Sequence, residues 1–150
     1  MKDINELIMD LNWNCSKSIQ EEAKRILIER SDYDIKILLE IDDKSCWENA
    51  AQILKSKGCE KTKEIIDLLF LQLRDLNWPG SKQILGLLRT FPHDLFQPAY
   101  EGAICSAIRT KDDEWLDYLA IFIYEKKVDE KEFTNKSLYD ILKKHLSFWL

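Results

Sequence analysis

An all-α fold, an α–α superhelix of about eight or nine helices in two related halves, is the expectation for this sequence. Three observations carry it. Glycine (4) and proline (3) are scarce, although the many tight turns of an all-β fold would need them. Apolar residues recur at helical spacings over most of the chain, and no alternating run is long enough for a strand. Above all, one ten-residue segment occurs twice.

The repeat pairs residues 10–19, DLNWNCSKSI, with residues 75–84, DLNWPGSKQI, identical at seven positions. Each copy is followed by an acidic pair and a tryptophan: Asp42-Asp43 then Trp47, and Asp112-Asp113-Glu114 then Trp115. The tryptophans Trp13, Trp47, Trp78 and Trp115 lie 34, 31 and 37 residues apart. A period in the mid-thirties suits two helices of about a dozen residues plus two short turns. The whole chain, 1–150, reads as one domain with internal copies at about 4–58 and 59–125 and a C-terminal capping helix at 134–150.

The elements follow in order. Gly58 ends the helix that starts near Cys46. Over residues 60–76, Ile65, Ile66, Leu69, Phe70, Leu73 and Leu76 form an apolar stripe widened by Leu68 and Leu71, as expected of a helix buried on several sides. Asn77-Trp78-Pro79-Gly80 breaks that helix, with Ser81 a candidate cap for the next. Phe91-Pro92-His93-Asp94 breaks again, and Pro98 suits the first turn of a helix over 98–109. Trp115, Leu116, Leu119, Ala120, Phe122 and Ile123 mark a helix over 113–124, and Leu138, Ile141, Leu142 and Leu146 another over 134–146, with Thr134 or Asn135 as its cap.

Asn77-Trp78-Pro79, a helix, and then Asp112-Asp113-Glu114-Trp115 resemble the signature of a bacterial family of short helical proteins of unknown function. The match covers residues 60–125 well. Residues 4–55 resemble a degenerate second copy in which Asn14 replaces the proline and Lys44-Ser45-Cys46 lengthens the acidic-to-tryptophan gap. The family is similar to HEAT-like solenoids. The resemblance implies a fold and transfers no catalytic residue.

Charge and composition narrow the function. An apolar fraction of 45% with 33% charged residues describes a globular chain long enough to bury its own core. The net charge of −5 disfavours a broad phosphate-binding face, so no nucleic-acid partner is expected. It suits a basic protein partner, or simply solubility. The N-terminus is polar at once and no long uncharged apolar run follows, so neither a leader nor a membrane span is expected, and the reading is cytoplasmic. Cys15, Cys46, Cys59 and Cys105 include no C-x-x-C pair and read as free thiols.

The candidate partner-binding residues are Asp42, Asp43, Asp112, Asp113, Glu114 and Trp149. For the acids the competing reading is helix capping, since Asp at an N-terminus accepts orphan N–H bonds and suits the helix dipole. Trp13 and Trp78 are structural repeat marks that lock turns, and Trp47 and Trp115 open amphipathic helices and belong to the core. The apolar end Ser147-Phe148-Trp149-Leu150 either docks on the last helix pair or serves as a partner site. His93 and His145 have no nucleophile beside them in sequence. The scattered thiols suggest no zinc site, and no glycine-rich phosphate loop or G-x-S-x-G elbow is present. No catalytic residue, metal or cofactor is expected.

The leading expectation is therefore a non-enzymatic helical-repeat module that binds a protein. An immunity protein neutralising a cognate toxin is the more specific alternative, and a HEAT-like DNA glycosylase the enzymatic one, disfavoured by the acidic charge.

Overall fold

The computed structural model describes residues 2–149. Its regular elements are all helical: α1 (Ile4–Met9), α2 (Lys17–Glu29), α3 (Trp47–Thr62), α4 (Ile66–Leu71), α5 (Ser81–Arg89), α6 (His93–Arg109), α7 (Asp113–Glu125) and α8 (Lys136–Leu146). Short 3-10 turns flank α4 on both sides, so residues 63–74 form one continuous helical segment. Counting that segment once, seven helices run for nine residues or more among the described residues, slightly fewer than the sequence suggests. The difference lies in the first half, where Ile35–Leu39 and Lys44–Cys46 are 3-10 turns.

Each helix packs on its neighbour or on the one after: α2 on α3, α3 on α5, α4 on α6, α6 on α7, and α7 on α8. Phe70 sits at the centre, 5.4 Å from Phe96 and 5.9 Å from both Tyr100 and Phe122 (ring centroids). All four rings are fully buried. The Tyr100 hydroxyl donates to the Leu119 carbonyl at 2.6 Å, which satisfies its polar atom inside the core.

The two tryptophan turns are built differently despite their shared residues. Trp78-Pro79-Gly80-Ser81 is a type II turn: Gly80 has φ +89 and the Ser81 amide donates to the Trp78 carbonyl at 3.1 Å. A proline followed by a glycine is what that turn requires, and Asn14-Cys15 lacks both. The first turn is held instead by a polar network. Asn49 donates to the Leu11 carbonyl (2.6 Å) and to Gln20 Oε1 (2.9 Å), and Gln20 Nε2 donates to the Cys15 carbonyl (2.7 Å). Ser16 caps α2. Ser81 does not cap α5: it is the helix's first residue, and its hydroxyl donates back to the Gln72 and Asp75 carbonyls.

One device recurs. Lys57, on α3, donates to the Ile28 and Arg30 carbonyls at the end of α2 (3.1 and 2.7 Å), with its ammonium 5.2 Å from the Tyr33 ring. Lys126, at the end of α7, donates to the Arg89 and Phe91 carbonyls beyond α5 (3.2 and 2.6 Å), 4.8 Å from the Phe96 ring. In each half a lysine satisfies the orphan carbonyls of the helix that follows the tryptophan turn. Burial lowers both ammonium pKa values below the usual lysine value.

Two helix boundaries depart from the expected ones. α6 begins at His93, five residues before Pro98, because the Phe91-Pro92 break already starts it. Pro98 is exposed, so the helical carbonyl it leaves without a donor faces solvent. Gly58, with φ +85, interrupts α3 and does end its first part; the chain resumes a short helical stretch through Thr62, whose hydroxyl donates to the Gly58 carbonyl at 2.8 Å. At the C-terminus, α8 is capped by Asn135 and followed by a 3-10 turn, Ser147–Trp149. Leu150 lies outside the described residues.

Candidate partner-binding groove

The residues singled out in sequence go to three places. Asp43 caps its 3-10 turn, accepting from the Ser45 amide at 2.9 Å, and also accepts from Asn12 Nδ2 at 3.0 Å. Together with the Trp13 amide on the Ser45 carbonyl (3.1 Å), this joins the first acidic pair to the first tryptophan turn. Asp42 is exposed beside it. Trp13 is 49% exposed at this end of the molecule.

Trp149 lies at the other end. Its indole donates to the Asp117 carbonyl at 2.5 Å and its ring packs at 6.1 Å from Tyr118, while Phe148 stays 59% exposed. His145 Nδ1 stands 2.6 Å from Asp117 Oδ1, so a single aspartate holds both the last helix and the tail. His93 Nδ1 similarly faces Glu132 Oε2 at 2.7 Å.

Asp112, Asp113 and Glu114 open α7, where the helix dipole favours acids. Asp112 is the cap, accepting from the Trp115 amide at 3.0 Å, and it faces Arg74 at 3.7 Å. Asp113 and Glu114 make no side-chain hydrogen bond or ion pair among the described residues. These three line the mouth of a groove of about 600 Å³ together with Arg74, Arg109 and Lys111. The mouth is shaped by the α6–α7 turn. Lys111, at φ +56, lets the Asp112 amide reach the Ala107 carbonyl and the Lys111 amide the Ile108 carbonyl, a Schellman closure usually made with glycine.

The groove continues as an apolar hollow of about 280 Å³ between α4 and α6. Its floor on α6 is Ala99, Gly102, Ala103 and Ser106, at the spacing of one helix face. Leu71, 37% exposed, stands on the opposite wall and Trp115 closes the end. Trp115 is 3% exposed and donates its indole N–H to the Phe70 carbonyl at 3.2 Å, so the end wall is rigid core. A Cβ added at Gly102 would meet nothing within 4 Å. On the far side of Leu71 a further hollow of about 290 Å³ is lined by Lys36, Leu39, Glu40, Leu68 and Gln72.

Sequence reasoning found the acids at the mouth and missed the hollow. Leu71 and Leu68 read as a widening of a buried stripe, and nothing in the sequence singled out Gly102 and Ser106 of α6. The signal was available in the width of the apolar arc on residues 63–74, which exceeds what its packing partners cover. Among the described residues no three His, Cys, Asp or Glu side chains converge as metal ligands, and no helix is long and apolar enough to cross a membrane.

The fold is an all-helical domain with an open, partly apolar groove on its surface. The family model described as "Domain of unknown function (DUF5071)" matches residues 48–147, and the chain belongs to that family. The match takes in α4, α6, α7 and α8, and so both walls of the groove. Comparison with curated proteins and with solved structures found no match.

Proposed function

We propose that this chain is a non-enzymatic protein-binding module on a HEAT-like helical-repeat scaffold, and that its partner seats in the groove over α4 and α6. The observation that carries this reading is an open hollow floored by small residues of α6 and closed by the buried Trp115. Leu71 leaves apolar surface in water beside small side chains that admit close approach, next to a mouth with unpaired charges. Interfaces take this form, an apolar centre with a polar rim. The net charge of −5 supports a partner with basic residues. A cytoplasmic setting belongs to the same reading.

The test is a blocking substitution. Gly102→Gln places a side chain in open space on a helix, so the fold is retained while the hollow is filled. Cross-linked capture from the source cell should yield a defined partner with the wild type and lose it with Gly102→Gln. Equal recovery of the same partner by both proteins, with the variant melting no lower than the wild type, rejects the groove as the binding site.

A further inference from the structure

The repeat allows one surface of the first half to be compared, residue by residue, with its counterpart in the second. Residues 10–19 and 75–84 match at an offset of 65 (75 − 10), which makes α2 the counterpart of α5. In the second half Ile84, Leu87 and Phe91 are each 1% exposed. Ile84 faces α3, where it shares a wall with Trp47 and Ala51. The counterparts in the first half are Ile19, Glu22 and Ile26. Ile19 is 42% exposed, Glu22 is exposed and Ile26 is only half-buried. α2 meets α3 through a different side, where Gln20 and Lys24 bond to Asn49 and Gln52. The face that seats a full helix in the second half is bordered in the first only by the six-residue α1. Between α1 and α2 lies a hollow of about 330 Å³, lined by Leu7, Ile19, Ala23 and Ile26 together with Lys2 and Asp10, which pair with each other at 2.5 Å.

The opposite end of the chain does not offer the matching surface. α7 is the last tryptophan helix, and α8 already packs along it. His145 Nδ1 on Asp117 Oδ1 (2.6 Å) and the Trp149 indole on the Asp117 carbonyl (2.5 Å) hold that cover in place. Head-to-tail stacking of copies would have to displace α8, whereas two copies joined through the same face close as a pair.

The α2 face is complementary to itself. A two-fold axis passing between residues 22 and 23 of antiparallel α2 helices sets Ile19 of each copy against Ile26 of the other, because the two are equidistant from it. Within its own chain Arg25 donates to Glu22 (3.0 and 2.6 Å) and to Glu29 (3.1 Å). Across the same axis it comes level, within about 3 Å along the helix, with Glu22 of the second copy. The flank therefore meets its copy with opposite charges facing.

We propose that two copies of this chain associate through their α1–α2 surfaces, α2 antiparallel to α2, with Ile19 and Ile26 at the centre and Glu22–Arg25 pairs exchanged across the two-fold axis. The groove over α4 and α6 takes no part in this contact.

Sedimentation equilibrium of the intact protein, from micromolar to millimolar concentration, reads the association, and amide shifts of the isotope-labelled protein over the same range read the surface. The wild type should pass from monomer to dimer and no further, with shifts centred on Ile19, Glu22 and Ile26. Ile19→Glu places a carboxylate on the apolar seam and should weaken the dimer at least about tenfold. The helix survives that change, because Ser16 caps α2 by accepting from the amide of residue 19 at 3.4 Å and a glutamate there completes a capping box. Arg25→Glu sets like charges across the axis and should weaken the dimer about tenfold. A monomer at every concentration, a dimer undiminished in either variant, or a species that grows past the dimer with shifts on α8 and Phe148 overturns the proposal.

Discussion

Three glycine-to-alanine substitutions should separate in a fixed order, because each places the same methyl group in a different situation. At Gly80 the backbone has φ +89, and the new Cβ would lie 2.8 Å from both the Ala51 Cβ and the Trp47 carbonyl oxygen. The left-handed conformation costs a residue with a side chain about 1–2 kcal/mol. Forcing the turn away from α3 adds about 1–3 kcal/mol of overpacking, since one obstacle is backbone and cannot rotate aside. Gly80→Ala should therefore lose about 2–5 kcal/mol. At Gly58, φ is +85 but nothing lies within 4 Å of the new Cβ, so only backbone strain of about 1–3 kcal/mol applies. At Gly102 neither penalty exists, and alanine should gain about 0.5–1 kcal/mol from helix propensity. Urea denaturation at matched slopes gives the three values. At this chain length about 1 kcal/mol corresponds to about 2–4 °C in melting temperature, so thermal scans resolve the order as well. The reasoning is refuted if Gly80→Ala is as stable as the wild type, or if Gly58→Ala is the more damaging of the two.

Other expectations follow from single contacts. Lys126→Met keeps the aliphatic stem but removes the donors to the Arg89 and Phe91 carbonyls, and should cost about 1–2 kcal/mol in denaturant unfolding; Lys57→Met should behave alike, and a neutral result for both would deny the clamp a role in stability. Trp149→Ala removes a half-buried ring and its bond to the Asp117 carbonyl, for a loss of about 1–2 kcal/mol; an unchanged melting temperature would mean that the tail is not docked in solution. Alkylation mapped by mass spectrometry should label the exposed Cys105 first and Cys46 last, since Cys46 is buried and burial, with Asp43 nearby, pushes its thiol up to about 11. Prompt labelling of Cys46 in the native protein would contradict that placement. Carboxyl titration by NMR should place Asp32 at about 2, below the usual aspartate value, because Arg30 donates to both its oxygens at 2.8 and 2.7 Å. The sign follows: with the folded pKa depressed, the pair's contribution is complete above the unfolded value and is lost as pH falls through about 2.

The sequence carries helix type well and spatial roles unevenly. Apolar spacing locates α7 and α8 nearly to the residue, because both are regular and end at ordinary caps. It misplaces the start of α6, because Pro98 looks like a first-turn residue and only the solvent-facing side of the helix makes an interior proline tolerable. The identical residues of the tryptophan turns suggest identical turns. Yet one is a proline–glycine type II turn pressed on Trp47, whose ring meets Trp78 edge to face at 6.1 Å, and the other hangs on Gln20 and Asn49. The lysine clamp has no sequence signal, since Lys57 and Lys126 look like any exposed lysine until the helix they cap is in place. The groove was half legible. Its acidic mouth is a sequence motif, whereas its floor depends on how α6 lies beside the 63–74 segment, and packing of that kind is a property of the assembled fold.

The most direct test of the account is the fate of the natural partner when the groove is filled. Wild type and Gly102→Gln would be compared by cross-linked capture from the source cell and, once the partner is in hand, by titration calorimetry. The account expects a Gly102→Gln protein that folds and melts no lower than the wild type but has lost the partner. A variant that binds that partner as tightly as the wild type would contradict it.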